Sequence, residues 1–294
     1  MTRKRVLIIG STGMLGRAVF NNLRATDLSV LETSRTSGLL FDAETDSAEA
    51  LLEAAGLRKG DFVVNCAGLT KSHIDDSKME TIERAVRLNI LFPIRLARAA
   101  DRIGIRVIQV ATDCVFSGNQ GAYVESDFHD ALDVYGKTKS LGEAVGDNIM
   151  HLRCSLIGPE EPGRETLLFD WVRSLGESAE IDGFTNHLWN GLTSDAFARI
   201  VRGILLNDSF TSGLRHLVPV DVISKYSLIG GILSRLGRAD VIVRPTETER
   251  KIDRTLGTLH PTGNQRLFEL AGYQSIPTIA EMLDDLQRTL PKSR

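Results

Sequence analysis

The chain has few cysteines, no long apolar run and no surplus of basic charge, and each shortage removes a class of function. Only Cys66, Cys114 and Cys154 occur among 294 residues. They are odd in number, far apart and set in or beside apolar runs. That is the pattern of buried thiols in a reducing compartment, not of a disulfide framework. No stretch approaches the roughly 20 apolar residues of a membrane helix. The run in "MTRKRVLIIG" falls short of the ~7–15 residues of a secretory signal. A cytoplasmic protein is expected. The net charge of −3 offers no basic field to nucleic acid or anionic lipid. The six histidines show no metal-ligand spacing, so no metal site is expected. Internal repeats and low-complexity tracts are also missing.

What is present is an ordinary globular composition, 42% hydrophobic and 25% charged. Strand-length apolar runs recur at "RVLIIG", "LSVLETSR", "GLLFDA", "DFVVNCAG", "IRVIQVATD" and "IMHLRCSLIG". Helical patterns over 14–24, 45–57, 79–102 and "VYGKTKSLGEAVG" fall between them. Near-continuous apolar strands alternating with helices predict an α/β fold, a doubly wound parallel (Rossmann) sheet covered on both faces. After Gly158 the rhythm changes. A polar turn region over 159–166 precedes a helix near 167–175 and the loop "NHLWNGLT". A helix at "SDAFARIVRGILL", with Ser194 as N-cap, is followed by "LRHLVPV" and a helix near 223–236. Then come "DVIVRPTETERKIDRTL" and a last helix near 279–290. The expected division is a cofactor domain over 1–158 and a smaller substrate-binding lobe over 159–294. That lobe is interleaved with the last strands and helices of the core.

"GSTGMLG" ends the first strand with Gly10, Gly13 and Gly16 at every third position. In a dinucleotide fold such a turn lets a pyrophosphate approach the backbone at the next helix's N-terminus. A tight turn without a ligand is the competing reading. Arg35, ending the second strand, stands where an acidic residue usually reads a ribose, and it suits a 2′-phosphate. Arg17 is a second candidate cation. Tyr135 and Lys139, four apart on a predicted helix, share one face. An ammonium there lowers a phenol's pKa, and the phenol can protonate a carbonyl oxygen. Thr112, at the carboxyl end of the fifth strand, offers a hydroxyl to a developing oxyanion.

Together "GSTGMLGRAV", "FDAET", "VVNCAGLT", "LNILFPIRLARAADRIGIRVIQVATDCVF" and "YGKTKSLGE" resemble the extended short-chain dehydrogenase/reductases, and within them the dTDP-4-dehydrorhamnose reductase group. The matching stretches cover most of residues 5–157. The resemblance implies Thr112, Tyr135 and Lys139 as a catalytic triad, with Asn89 supporting the lysine through a water. It implies that Gly10, Thr12, Gly13, Met14, Leu15, Gly16, Arg35, Asp42, Cys66, Ala67, Gly68, Tyr135 and Lys139 bind the cofactor. That cofactor is expected to be NADPH, with NADH as the alternative. Thr70, Thr112, Asp113, Val115 and Phe116 fall on the substrate side. The implied reaction is reduction of a keto group on a nucleotide-linked deoxysugar, of the 4-keto-6-deoxy type, in polysaccharide biosynthesis. A homodimer is expected by family analogy alone.

Departures from the group's pattern fall on the substrate side. Cys114 and Leu156 stand where the group commonly has aromatics, and Gly191 and Thr193 are the remnants of a later motif. In "NHLWNGLT", Asn186, His187, Trp189 and Asn190 offer hydrogen bonds and a stacking surface, or Trp189 simply packs between lobes. Arg153 can meet a diphosphate or pair with a carboxylate. Arg250, Lys251 and Arg254 are read as a solvated face in preference to a diphosphate clamp. Cys114, in place of an acid, argues against a dehydratase. An epimerase and a non-catalytic NADP-binding regulatory subunit remain as alternatives.

Overall fold

The computed structural model describes residues 3–36, 38–144, 146–161, 163 and 166–290. Val145, in the expected helix, and Pro162, Arg164 and Glu165, in the expected polar turn, lie outside them. In chain order the first half comprises β1 (Arg5–Ile9), α1 (Met14–Leu23), β2 (Ser29–Ser34), β3 (Leu39–Leu40) and α2 (Ala48–Ala54). It continues through β4 (Phe62–Asn65), α3 (Met79–Ala85), α4 (Phe92–Ile103), β5 (Arg106–Ala111), α5 (Val134–Leu141) and β6 (Ile149–Arg153). The second half holds β7 (Leu156–Ile157), α6 (Leu168–Arg173), β8 (Glu180–Phe184), β9 (His187–Trp189), β10 (Leu192–Thr193), α7 (Ser194–Leu206) and β11 (Gly213–His216). It ends with β12 (Ile223–Ser224), α8 (Lys225–Arg235), β13 (Ile242–Thr246), β14 (Ile252–Asp253), α9 (Pro261–Leu270) and α10 (Ile279–Thr289).

The central sheet has seven parallel strands in the order β11-β6-β5-β4-β1-β2-β3. The order reverses between β1 and β4, which opens a crevice at the carboxyl ends of those strands. Val6 and Ile8 enter a core shared with α1, α7 and α10, while Leu7 and Ile9 enter a second core with α2 and α4. Both faces of β1 are therefore covered, which is why its sequence shows no polar alternation.

The doubly wound sheet expected from the sequence is present, and several boundaries differ. The expected long helix over 79–102 is two α-helices joined by a π-helical turn, Val86–Leu91. Pro93 has no N–H to return to the carbonyl of Asn89, four residues back, and the Phe92 N–H bonds Arg87 instead. "GLLFDA" keeps strand pairing only at Leu39–Leu40, and the helix expected over 45–57 spans Ala48–Ala54 behind its Ser47 cap. "IMHLRCSLIG" breaks into β6 and β7. "NHLWNGLT", expected as a loop, contains β9 and β10. β9 pairs with β12 and β14, far along the chain, so no local pattern marks it. The cap of α7 is Thr193, whose hydroxyl accepts from the Ala196 N–H at 3.3 Å; Ser194 is the first helical residue. β12 occupies the start of the helix expected over 223–236, and α9, opened by Pro261, was not anticipated. β11, from "LRHLVPV", returns to the central sheet beside β6.

The glycine turn separates packing from openness. Gly10 has φ +79°, and an added Cβ would lie 2.8 Å from the Ala67 nitrogen. At Gly16 an added Cβ would collide with the Gly10 carbonyl, so α1 packs on the turn only without a side chain. At Gly13 the nearest atom would be 3.4 Å away, an ordinary contact. Gly16→Ala should therefore destabilise the fold by about 1–3 kcal/mol, while Gly13→Ala stays within about 1 kcal/mol of the parent. Urea unfolding of the two variants checks this, and equal losses would contradict it.

Candidate active site

The turn after β1 meets α1 at Gly13, which caps the helix without a side-chain hydrogen bond. No acidic residue stands in the first turn of α1. The N–H groups that open the helix thus form a positive end suited to an anion. Thr12 is exposed, Met14 half-buried and Leu15 buried, so Leu15 can meet a ligand there only through its backbone. The Ser11 hydroxyl donates to the Thr33 carbonyl at 2.8 Å and fixes the turn against β2. Arg35, just past β2, is exposed. Arg17 donates to the Pro159 carbonyl at 2.9 Å, which ties α1 to the second half of the chain and commits that guanidinium. Asp42 accepts from the Glu44 N–H at 2.9 Å and organises its own turn.

Beside this turn runs the segment after β4. The Cys66 N–H continues the β1 ladder to the Ile9 carbonyl at 2.9 Å. The Asn65 side chain accepts from the Ala67 N–H at 3.1 Å. Asn89, on the π-helical turn, holds both backbone groups of Leu69: it accepts from the N–H at 2.8 Å and donates to the carbonyl at 3.0 Å. It also donates to the Thr138 hydroxyl at 3.2 Å. Its side-chain groups are thus occupied in clamping the Cys66–Thr70 segment to α5. The Asn89 carbonyl packs against Gly142, where any Cβ would collide with it. Gly68 is exposed, and a Cβ there would sit 3.9 Å from Lys139 Nζ. Thr70 is half-buried, its hydroxyl 2.9 Å from His73 Nδ1.

α5 carries Tyr135 and Lys139 on one face, behind an Asp133 cap that accepts from the Gly136 N–H at 2.7 Å. Lys71 pairs with Asp133 at 2.6 Å and secures that end. The Tyr135 hydroxyl lies near that of Thr112, which donates to Asp113 Oδ1 at 3.2 Å and accepts from the Cys114 N–H at 3.1 Å. Burial pushes the Tyr135 pKa up, and Thr112 only partly opposes this. The phenol is therefore a protonated donor near neutral pH, and the lowering by Lys139 expected from the spacing is not what dominates here. Lys139 donates to the Val110 carbonyl at 3.2 Å, and burial pulls its pKa down. Burial holds the thiols of Cys66 and Cys114 up to about 12, so both are neutral. Thr112, Tyr135, Lys139 and Gly68 thus converge at the carboxyl ends of β4 and β5, adjoining the glycine turn.

The substrate-side expectations divide. Asp113 is buried beside Thr112, and its pKa is raised by burial against the pull of Arg254 and Lys225. Val115 and Phe116 are fully buried. Phe116 stacks on Tyr123 with centroids 4.2 Å apart, so these two side chains pack behind the site and show no face to a ligand. Asn186 and His187 both bond Thr248, at 2.7 and 2.8 Å, and hold a strand-end loop. Trp189 is buried, donates to the Ser155 hydroxyl at 2.8 Å and is a packing residue. Asn190 clamps Leu256 through both backbone groups at 2.8 and 2.9 Å. Arg254 is no solvated cation: it is half-buried and donates to the Phe116 carbonyl at 2.8 Å. Lys225 escaped the sequence reading. Its ammonium lies over the Trp189 ring at 5.4 Å, and burial lowers its pKa while Asp113 and Cys114 raise it. Only its place at the start of α8 hinted at it.

Arg153, expected to meet either a diphosphate or a carboxylate, meets the carboxylate. It is fully buried, with Nη2 at 2.6 Å from both Glu143 oxygens and the guanidinium 5.2 Å from the Phe116 centroid. Arg153 also donates to Nε2 of His216 at 3.0 Å and of His129 at 2.8 Å. An arginine has no lone pair to offer, so both Nε2 atoms accept and both rings are neutral. Their Nδ1–H groups then donate to the Gly257 carbonyl and the Ser140 hydroxyl, at 2.8 and 2.7 Å. Breaking such a buried pair from one side costs about 3–5 kcal/mol. Among the described residues, no group of His, Cys, Asp and Glu is placed to hold a metal, and no helix is long and apolar enough to cross a membrane.

A family model described as the RmlD substrate binding domain matches residues 4–256. Methionine adenosyltransferase 2 subunit beta of Rattus norvegicus is 30% identical over 189 residues, covering 61% of this chain and 56% of that protein. The chain thus spans just over half the length of that relative. A dTDP-4-dehydrorhamnose reductase of Mycolicibacterium smegmatis is 25% identical, covering 84% of this chain and 74% of its own. The crystal structure of dTDP-4-dehydrorhamnose reductase from Bacillus anthracis, in complex with NADP, superposes with a TM-score of 0.78 at 18% identity. It covers 98% of this chain and 100% of that one.

The neutral histidines make stability depend on pH. Burial lowers the pKa of both His129 and His216 below the ordinary 6.5. The unfolded chain then binds more protons, so their contribution is complete above pH 6.5 and falls as pH drops towards the lowered values. The thermal midpoint should decline between pH 7 and about 5, before most carboxylates titrate. A His129→Gln/His216→Gln variant, which keeps acceptors for Arg153, should flatten that decline. A wild-type midpoint that is constant across the window would contradict neutral rings.

Proposed function

Because the chain belongs to the family described as the RmlD substrate binding domain, we propose that it is an NADPH-dependent reductase acting on a keto group of a nucleotide-linked deoxysugar, of the 4-keto-6-deoxy type. The observation that carries this reading is the meeting of Thr112, Tyr135 and Lys139 beside an uncapped glycine turn at the switch point of the sheet. The residues fit the cofactor. Gly13 is bare although packing does not require it, and Gly68 leaves open the space before Lys139. In this reading the first turn of α1 holds the pyrophosphate, Arg35 reads the 2′-phosphate, Cys66–Gly68 line the nicotinamide half and Lys139 holds a ribose. Residues 1–158 form the cofactor domain. Residues 159–294 supply most of the substrate lobe and return β11 to the sheet.

When bound, NADPH supplies the hydride. The Tyr135 hydroxyl, kept protonated by its burial, gives its proton to the carbonyl oxygen as charge develops there. Thr112 turns its hydroxyl from Asp113 Oδ1 to donate a second hydrogen bond to the same oxygen. The Lys139 ammonium stabilises the phenolate left behind. Asp113, Lys225 and Arg254 form the polar wall across from this group, with Cys114 beside it.

A second reading, a non-catalytic NADP-binding subunit, is favoured by the relative that is itself a methionine adenosyltransferase subunit. Tyr135→Phe separates the two. In an enzyme, turnover should fall by at least about 100-fold with cofactor affinity nearly unchanged, as single-turnover kinetics and fluorescence titration would read. A wild type that binds NADPH but turns over no nucleotide-linked ketosugar would favour the subunit. Arg35→Ala should weaken NADPH by about 1.5–3 kcal/mol and leave NADH nearly unaffected. Equal losses for both would remove Arg35 from the 2′-phosphate.

A further inference from the structure

On one face of the central sheet, two buried amides stand where the strands would otherwise carry apolar side chains. Val63 and Val107 belong to the core packed against α2 and α4. Two residues further along each strand, on the same face, are Asn65 and Gln109, 0% and 5% exposed. They are register partners and the last paired residues of β4 and β5. β5 stays paired with β6 as far as Ala111. From Val110 onward β5 is thus held by a ladder on one side only.

The two amides bridge the fork where the other ladder stops. Asn65 Oδ1 accepts from the Ala67 N–H at 3.1 Å, and Asn65 Nδ2 donates to Gln109 Oε1 at 2.8 Å. Gln109 Nε2 donates to the Val110 carbonyl at 3.2 Å. A backbone donor stands at one end of this chain and a backbone acceptor at the other, so only this orientation of both amides satisfies it. The Val110 carbonyl also accepts from Lys139 Nζ, at 3.2 Å. Both of its lone pairs are then used, and Nζ keeps two N–H groups for a ligand. The ring closes through Gly68, next to Ala67, where a Cβ would lie 3.9 Å from Nζ.

We propose that Asn65 and Gln109 are positioning residues: their amide bridge fixes the Val110 carbonyl, and with it the Lys139 ammonium, at a set distance from the Cys66–Gly68 segment, so that Nζ meets the ribose on the nicotinamide side. Another ladder rung in its place would draw that segment onto β5 and close the space before Lys139. The role towards the cofactor rests on the reductase reading, whereas the spacing itself does not. The competing account is that the two amides only satisfy each other inside the core.

Gln109→Met and Asn65→Leu/Gln109→Met separate the two accounts. The double variant leaves neither amide without its partner, and it stays measurable if the single variant fails to fold. Crystal structures without nucleotide give the spacing between Gly68 and Lys139 Nζ in wild type and variant. Calorimetric titration compares NADPH with adenosine 2′,5′-bisphosphate, which shares the adenosine end and lacks the nicotinamide and its ribose. We expect the spacing to change in the variants. NADPH affinity should fall by about tenfold, the order of one hydrogen bond to a charged group, with bisphosphate affinity unchanged. An unchanged spacing, an unchanged NADPH affinity or an equal loss for both ligands in the folded double variant overturns the proposal. A wild type that binds no NADPH, with the spacing altered in the variant, leaves the bridge standing and counts against the reductase reading alone.

Discussion

A fully buried guanidinium must be paired, and the pairing of Arg153 sets the geometry around it. Arg153 ends β6, Glu143 follows α5, His216 ends β11 and His129 lies on the segment that leads to α5. One charge thus draws together the helix of Tyr135 and Lys139, the edge of the central sheet and the second half of the chain. Phe116 lies over the same guanidinium, and its carbonyl accepts from Arg254. The substrate-side cation is therefore placed from the same buried centre. Removal of either charge would loosen the site from beneath, with no change in any side chain that faces the cleft.

A second constraint comes from Pro93. Its missing N–H opens a π-helical turn at Asn89, and the Asn89 side chain then clamps Leu69 and Thr138. Gly142 admits the Asn89 carbonyl closely. These contacts fix the distance between the Cys66–Gly68 segment and α5, and hence the space between the glycine turn and Lys139. Asn89 matters through shape at least as much as through any water.

Much of the fold was legible because its signals are local. Continuous apolar strands, the glycine turn and the Tyr135–Lys139 spacing can each be read within a dozen residues. The partner of Arg153 was left open because two chemistries fit one residue, and only the proximity of Glu143 decides between them. β9 and β10 were missed because their ladders come from residues far along the chain. Phe116 was placed on the substrate side by the family resemblance, and packing claimed it; Trp189 was left open between a stacking surface and packing, and its burial against Ser155 decides for packing. Lys225 and Arg254 reach Asp113 only through the folding of the second half, so nothing near them in the sequence marks the meeting. The π-helical turn had a signal, a proline four residues after an asparagine, that helical periodicity alone does not weigh.

The central claim is that an anion-ready turn and a proton-donating tyrosine serve one reduction. The most direct test is fluorescence titration of the purified protein with NADPH and NADH, each with and without a panel of nucleotide-linked 4-keto-6-deoxysugars. The account predicts preferential binding of NADPH, followed by its oxidation with one member of the panel. Failure of either nucleotide to bind would contradict the account at its base.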